Sequence, residues 1–270
     1  MCQTITKSGS YLVTGNFTAN GDCLIVAASF VQIDLGGYLL TGNGTGSGVR
    51  IDNPFKGRKN IDVLNGVVTS FLNGVDLESA TGSSIQDVRA FKNTETGLRV
   101  SSNSLIANSI SEENGGIGVS LGGSSRVSNS ISIGNGSHGI LIGGAIDGVA
   151  VGGGIANNNI SRANAGEGIV AFQGNGNVVR GNSVTNNGGN GISAVGSTVQ
   201  GNAVIGNKGH GINAGSGVVR ENSIIDNGLW AIYGACPLAA NGNSMLNNAS
   251  GNIFAVAGPP GCNFSDNAPP

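Results

Sequence analysis

Three rows of twenty residues, NVVRGNSVTNNGGNGISAVG, STVQGNAVIGNKGHGINAGS and GVVRENSIIDNGLWAIYGAC, fill positions 177–236 and match column by column. In each row aliphatic residues alternate with small or polar ones, Asn and Gly intervene, and a second short alternation follows. A self-similar period of this length, with strand-like alternation inside it, cannot bury its apolar residues in one copy; stacked copies can. The period therefore constrains the chain to a wound rod of coils. Forty-nine glycines and only 10% charged residues would suggest low complexity without the period, but 39% hydrophobic residues recur within it.

Extending the period in both directions predicts about ten coils. One aliphatic column reads Val49, Val75, Leu98, Val119, Ile140, Ile169, Ile192, Ile212, Ile232 and Ile253. Two residues further on a second column runs from Ile51 and Leu77 to Ala194, Ala214 and Gly234. Period-two alternation turns both columns inward and the residue between them outward. The long steps in the column locate two insertions, 52–60 and 145–154, expected as loops leaving the coil. Two asparagine ladders accompany the columns. One reads Asn108, Asn129, Asn158, Asn182, Asn202, Asn222, Asn243. The other reads Asn93, Asn114, Asn135, Asn164, Asn187, Asn207, Asn227, Asn248. Both are expected at corners, where Asn tolerates a left-handed backbone and its amide can bond the next coil.

These repeats resemble those of the right-handed parallel β-helix repeat proteins of the pectin-lyase-like superfamily. The resemblance rests on the GNSV and NNGG.GI motifs, on NIDVLNGVVTSFLNGVDL, and on the opening ITKSGSYLVTGNFTANGDCLIVAASFVQIDLGGYLLTGNG. It implies an all-β, right-handed parallel β-helix over 1–270. Residues 1–30 would form the N-terminal cap and first coil, 31–235 the regular coils, and 236–270 the last coil and cap. Caps matter because the open end of a stack is a sheet edge. On function the resemblance implies little, since the fold hosts lyases, hydrolases, epimerases and adhesins.

Cys2 and Cys23 lie near one end, Cys236 and Cys262 near the other. Four cysteines allow three pairings or four free thiols. Placement favours Cys2–Cys23 and Cys236–Cys262, each pinning an end of the rod, and hence a secreted or extracytoplasmic location. A net charge of −2 supplies no basic surface for nucleic acid, and no apolar run reaches membrane-span length. Oligomeric state is left open.

Residues far apart in sequence meet when they share a column, roughly 4.8 Å per coil, so candidate sites are sought in outward columns. Thr96, Ile117, His138, Glu167, Asn190 and His210 each precede the Gly of a repeat strand, and Trp230 precedes Ala231 at the same point of the next repeat. Both histidines and the single tryptophan share that line, with Tyr233 on the next outward position. His210, Trp230, Tyr233 and Asn190 suit stacking against a sugar ring and reading its hydroxyls. His138 and Glu167 could act as acid–base partners, or form part of a row of solvated corner residues. A second column, Arg50, Asp76 and Arg99, reads either as a surface ion-pair ladder or as a grip on an acidic sugar. A third places Asp34 beside Asp62, with Asp87 one position off, where a Ca²⁺ ion or a raised pKa could offset the repulsion. No cofactor is otherwise implied.

Linear motifs add nothing. Gly118-Val119-Ser120-Leu121-Gly122 fits G-x-S-x-G but lies in a repeat strand with no helix to follow. Phosphate-loop, zinc-protease and EF-hand patterns are missing. Three function classes follow: a β-helix that binds or processes a polysaccharide or cell-surface glycan, a structural or adhesive surface protein, and a lyase, hydrolase or epimerase acting on uronate glycans. Charge economy counts against the third, because 18 of the 28 charged residues fall within positions 1–113.

Overall fold

The computed structural model describes residues 2–146, 149–150, 152–172, 176–256 and 261–267. They form a right-handed parallel β-helix of about eleven turns, one more than the column count anticipates. Each turn contributes a strand to three parallel sheets. The first sheet begins at Gln3–Ile5, Leu24–Val26 and Ser47–Ile51 and ends at Gly251–Val256. The second begins at Gly9–Leu12 and Val31–Asp34, the third at Phe17–Thr18 and Leu39–Thr41. Winding thus starts within residues 1–30, the stretch expected to hold the cap and the first coil.

The aliphatic column read from the sequence is the inner column of the first sheet. Val49, Val75, Leu98, Val119 and Ile140 pair in succession, and so do Ile169, Ile192, Ile212, Ile232 and Ile253. Each of the first nine is fully buried. Burying a Val or Ile contributes about 1.5–3 kcal/mol, and every turn repeats that contribution. The second column holds as far as Ala194. It slips after Asn213, where Gly234 pairs with Gly215 rather than with Ala214.

A strand that turns a corner leaves a backbone N–H outside the sheet ladders, and a buried N–H needs a partner. Here the partner is a side chain of the next turn. At the corner between the third and first sheets, Asn93 Nδ2 donates to Asn114 Oδ1 at 2.9 Å, and the same bond recurs as far as Asn227 and Asn248. Each Oδ1 also accepts the backbone N–H of the preceding Asn. Phe71 occupies the same column one turn earlier, donates its N–H to Asn93 Oδ1, and fills the corner where Gly42 and Gly48 leave room.

The other expected ladder needs correction. Asn108, Asn129 and Asn158 do not stack in it; they are the left-handed corner residues, with φ of 52°, 51° and 56°. The stacking position is one residue later, at Ser109, Ser130 and Asn159, and then at Asn182, Asn202, Asn222 and Asn243.

Both insertions leave the corner after the first sheet and carry local structure. Residues 52–60 contain a 3-10 turn, Pro54–Lys56, and a short strand, Arg58–Lys59, paired with Ala80–Thr81. The Arg58 guanidinium bonds both oxygens of Asp52 and holds that carboxyl below the usual carboxylate range. In the second insertion Ala145 and Ile146 pair antiparallel with Ala150 and Val149.

The disulfides are Cys2–Cys23 and Cys236–Cys262, and no described cysteine is free. They fit an extracytoplasmic location. Among the described residues no helix is long and apolar enough to cross a membrane. Cys2–Cys23 closes a separation of 21 residues, for which chain entropy gives about 3 kcal/mol. The double change Cys2→Ser and Cys23→Ser is therefore expected to speed amide exchange at Gln3–Ile5 by about a hundredfold, while the Asn ladder of the middle turns keeps its protection. Uniform acceleration along the chain would contradict an end-pinning role.

Candidate functional site

The outward face of the first sheet carries two parallel columns, and every sequence candidate but Asp34, Asp62 and Asp87 falls on it. In one, Thr96, Ile117, His138, Glu167, Asn190, His210 and Trp230 succeed one another, each linked through the following Gly N–H to the carbonyl of the next turn. In the other, Arg50, Asp76, Arg99 and Ser120 lead through Leu141, Val170, Ser193 and Asn213 to Tyr233 and Phe254. The face is charged at its N-terminal end and aromatic at its C-terminal end.

At the aromatic end the His210 and Tyr233 rings stack with centroids 4.5 Å apart and planes 15° from parallel. Tyr233 stacks in turn on Phe254 at 5.4 Å, and Trp230 tilts against Phe254 at the same separation. His210 Nδ1 accepts the backbone N–H of Trp230 at 3.2 Å. That bond requires Nδ1 to be unprotonated, so the proton of the neutral ring sits on Nε2. Burial lowers the His210 pKa and favours the same neutral state. His210 N–H donates to Asn190 Oδ1 at 2.8 Å, tying the stack to the turn before it.

One turn further toward the N-terminus lies a polar cluster. Ser193 Oγ donates to Glu167 Oε1 at 2.6 Å, and Asn190 Nδ2 donates to the same oxygen at 2.8 Å. A third bond, Asn190 Nδ2 to Ser193 Oγ at 3.1 Å, closes the triangle. Glu167 therefore leans along the rod onto the next turn. Its other oxygen lies 3.9 Å from His138 Nδ1, too far for a hydrogen bond. His138 Nδ1 instead accepts the Glu167 backbone N–H at 3.3 Å. The expected His138–Glu167 adjacency is present, but the carboxylate is oriented by Ser193 and Asn190.

At the charged end Asp76 pairs in register with both Arg50 and Arg99. Arg50 nevertheless turns away, with Nε 2.6 Å from Asp22 Oδ2. Arg99 Nη1 divides between Glu78 at 2.9 Å and Asp76 at 3.8 Å. Burial pushes the Asp76 carboxyl up, against the pull of Arg99. Arg50, Asp76 and Glu78 line a pocket of about 240 Å³ under Pro54. Both guanidinium groups already have acidic partners.

The aspartate line is not realised. Asp62 pairs with Gln32 and Ser84, while Asp34 pairs with Leu64, two positions along. Aligning the two segments on their aliphatic residues rather than on their aspartates produces this offset. Asp34 Oδ1 accepts the Gly36 N–H and Asp62 Oδ1 accepts the Ser84 hydroxyl. Asp87 is a left-handed corner residue with φ of 55°. Among the described residues no three His, Cys, Asp or Glu side chains converge as metal ligands would.

Sequence columns missed two members of the C-terminal cluster, Ser193 and Phe254. Both lie between successive inner positions of the first sheet, so the alternation that placed Arg50 and Tyr233 outward also marks them.

A long right-handed parallel β-helix with an aromatic and hydrogen-bonding strip on one sheet is the class of protein these features define. Residues 47–198 and 152–268 match the family described as right handed beta helix region, and the chain belongs to that family. No curated protein sequence matches it. Similar solved structures include two modules from Azotobacter vinelandii. The mannuronan C-5 epimerase AlgE4 A-module aligns with TM-score 0.69 at 14% identity, over 95% of this chain and 91% of that one. The AlgE6 A-module aligns with TM-score 0.66 at 15% identity, over 97% and 91%. The Dettilon tailspike protein gp208 aligns with TM-score 0.68 at 16% identity, over 93% of this chain and 61% of that one. At these identities the likeness is one of fold.

Proposed function

We propose that this chain is a secreted β-helix protein that binds or processes carbohydrate on the C-terminal half of its first sheet. The observation that carries the reading is the joined pair of clusters: a stack of His210, Tyr233 and Phe254 with Trp230 beside it, next to the Glu167–Asn190–Ser193 triangle. Sugar rings present apolar C–H faces and a rim of hydroxyls. An aromatic surface covers the first, and a fixed carboxylate and amide read the second. The polar groups are held by one another and by the backbone before any ligand arrives, which lowers the ordering cost of binding. Two of the similar solved structures are named as mannuronan epimerases, which supports a carbohydrate role for the fold.

The test is a glycan array followed by titration of the best binder against wild type, Trp230→Ala and Tyr233→Ala. Each substitution is expected to weaken binding about 10- to 30-fold, as truncating an aromatic anchor does, with the circular dichroism of the β-helix unchanged. Binding that survives both substitutions would place the ligand elsewhere. Absence of binding to every glycan would favour a structural or adhesive role.

A further inference from the structure

Resting on the carbohydrate reading, we infer that the preferred ligand is an amino sugar polymer, seated with a protonated amine on Glu167 and a neighbouring ring on the aromatic stack. From Ile117 to Phe254 the two outward columns of the first sheet contain one charged side chain, Glu167. Arg50 and Arg99 are at the far end and bound to Asp22 and Glu78. Arg180 and Arg220 belong to the second sheet and Arg162 to the third. Arg162 stands five residues before Glu167 but on that third sheet, and the cation nearest in sequence to the aromatic stack is Lys208, at a corner two residues before His210 and outside both columns.

A uronate polymer laid along this strip would set its carboxylates against a fixed carboxylate. Like charges at a few ångströms disfavour binding, and desolvation sharpens the effect. An ammonium group meets the opposite situation. Glu167 Oε1 is saturated by Ser193 and Asn190, while among the described residues Oε2 has only His138 Nδ1 nearby, at 3.9 Å. That imidazole nitrogen accepts the Glu167 N–H and so carries no proton to give. Oε2 is left as an acceptor awaiting a donor. The aromatic stack points the same way, since Tyr and Trp faces attract cations as well as C–H groups. The Glu167 carboxylate reaches the turn of Ser193, and the Tyr233 ring stacks against His210. The two features are thus one to two turns apart, roughly 5–10 Å, a spacing that adjacent or next-adjacent sugars can bridge.

The experiment compares three matched oligosaccharides on the intact chain: a glucosamine oligomer with its amines protonated, the N-acetylated form of the same oligomer, and a mannuronate oligomer. Wild type is expected to bind the amine form about tenfold more tightly than the acetylated form, the scale of one part-exposed charge-assisted hydrogen bond, and the mannuronate more weakly than either. Glu167→Gln is expected to bring the amine-to-acetyl ratio close to one, whereas Trp230→Ala weakens both forms and leaves the ratio standing. A mannuronate affinity equal to or above that of the amine form overturns the inference while keeping the carbohydrate reading. An unchanged ratio in Glu167→Gln has the same consequence. Failure of all three oligosaccharides to bind overturns this inference, whereas the carbohydrate reading falls only when the whole glycan array is negative as well.

Discussion

Asn187→Ala is expected to lower the stability of the rod by about 3–5 kcal/mol, read as a fall in the midpoint of guanidinium unfolding. Asn187 is fully buried and serves four partners. Its Oδ1 accepts from the backbone N–H and the Nδ2 of Asn164, at 3.1 and 3.0 Å. Its Nδ2 donates to Ser161 O at 3.1 Å and Asn207 Oδ1 at 2.9 Å. Alanine removes all four bonds but leaves the four partner groups buried, and each stranded donor or acceptor costs about 1–3 kcal/mol. Partial relaxation and admitted water bring the total below the simple sum. Asn129→Ala is the control. Asn129 is exposed and left-handed at φ 51°, so alanine there costs only the backbone preference, about 1 kcal/mol. Two substitutions of one residue type would then differ several-fold. Equal costs would mean that the ladder contributes no more than corner geometry.

That contrast also shows what the sequence conceals. The inner columns were legible because aliphatic residues at period two have one explanation, burial, and the register they predict holds through ten members of the first sheet. Asparagine has two explanations at a corner. It takes up the left-handed backbone, and it stacks its amide. In the later turns Gly181, Gly201 and Gly242 occupy the left-handed position, so the Asn that follows must be the stacking one. In the earlier turns Asn108 and Asn129 take the left-handed position themselves, and Ser109 and Ser130 stack. Lining up asparagines therefore slides the column by one residue. The Gly-Asn pairs of the later repeats carry the correct frame and, projected back, would have picked out the serines.

The candidate site divides in the same way. The column from His138 to His210 was legible because each member precedes a repeat Gly, a fixed landmark, and Trp230 follows it by the twenty-residue period, with Ala231 in place of the Gly. The placement of Tyr233 one outward step beyond it followed from the pleat. What the sequence could not supply is the lean of a long side chain along the rod. The shared column sets Glu167 against its neighbour His138, yet its carboxylate is taken by Ser193 in the other column and on the next turn. Column arithmetic places Cβ atoms; a side chain as long as Glu selects among several equidistant partners by hydrogen bonding. The aspartates fail for a simpler reason. VQIDL and NIDVL share the letters ID, and matching the letters overrides the alternation that sets the pleat.

Glycine at position 139 leads to the second large effect. Gly139→Ala is expected to cost at least about 4 kcal/mol, or to prevent accumulation of folded protein, although Gly139 has no left-handed backbone to protect. A Cβ built there would point into the rod, 2.6 Å from both Asn164 Nδ2 and Gly168 O, and closer still to Ser161 Oγ. Two of these groups are side chains bonded into the ladder, since Ser161 Oγ donates to Gly168 O and accepts from Asn164 Nδ2. The third is backbone of the next turn and cannot yield without opening the first sheet. Overpacking in a close-packed interior costs about 1–3 kcal/mol, and displacing the Asn164 amide adds stranded polar groups to that. Gly134→Ala supplies the comparison. Gly134 has φ of +64° and its nearest contact is the Glu113 side chain at 3.8 Å, so alanine there carries a conformational cost of about 1 kcal/mol and no clash. Ser161→Ala should not rescue Gly139→Ala, because the Gly168 carbonyl stays in place. Rescue would show that the ladder side chain, rather than the spacing between turns, sets the requirement for glycine.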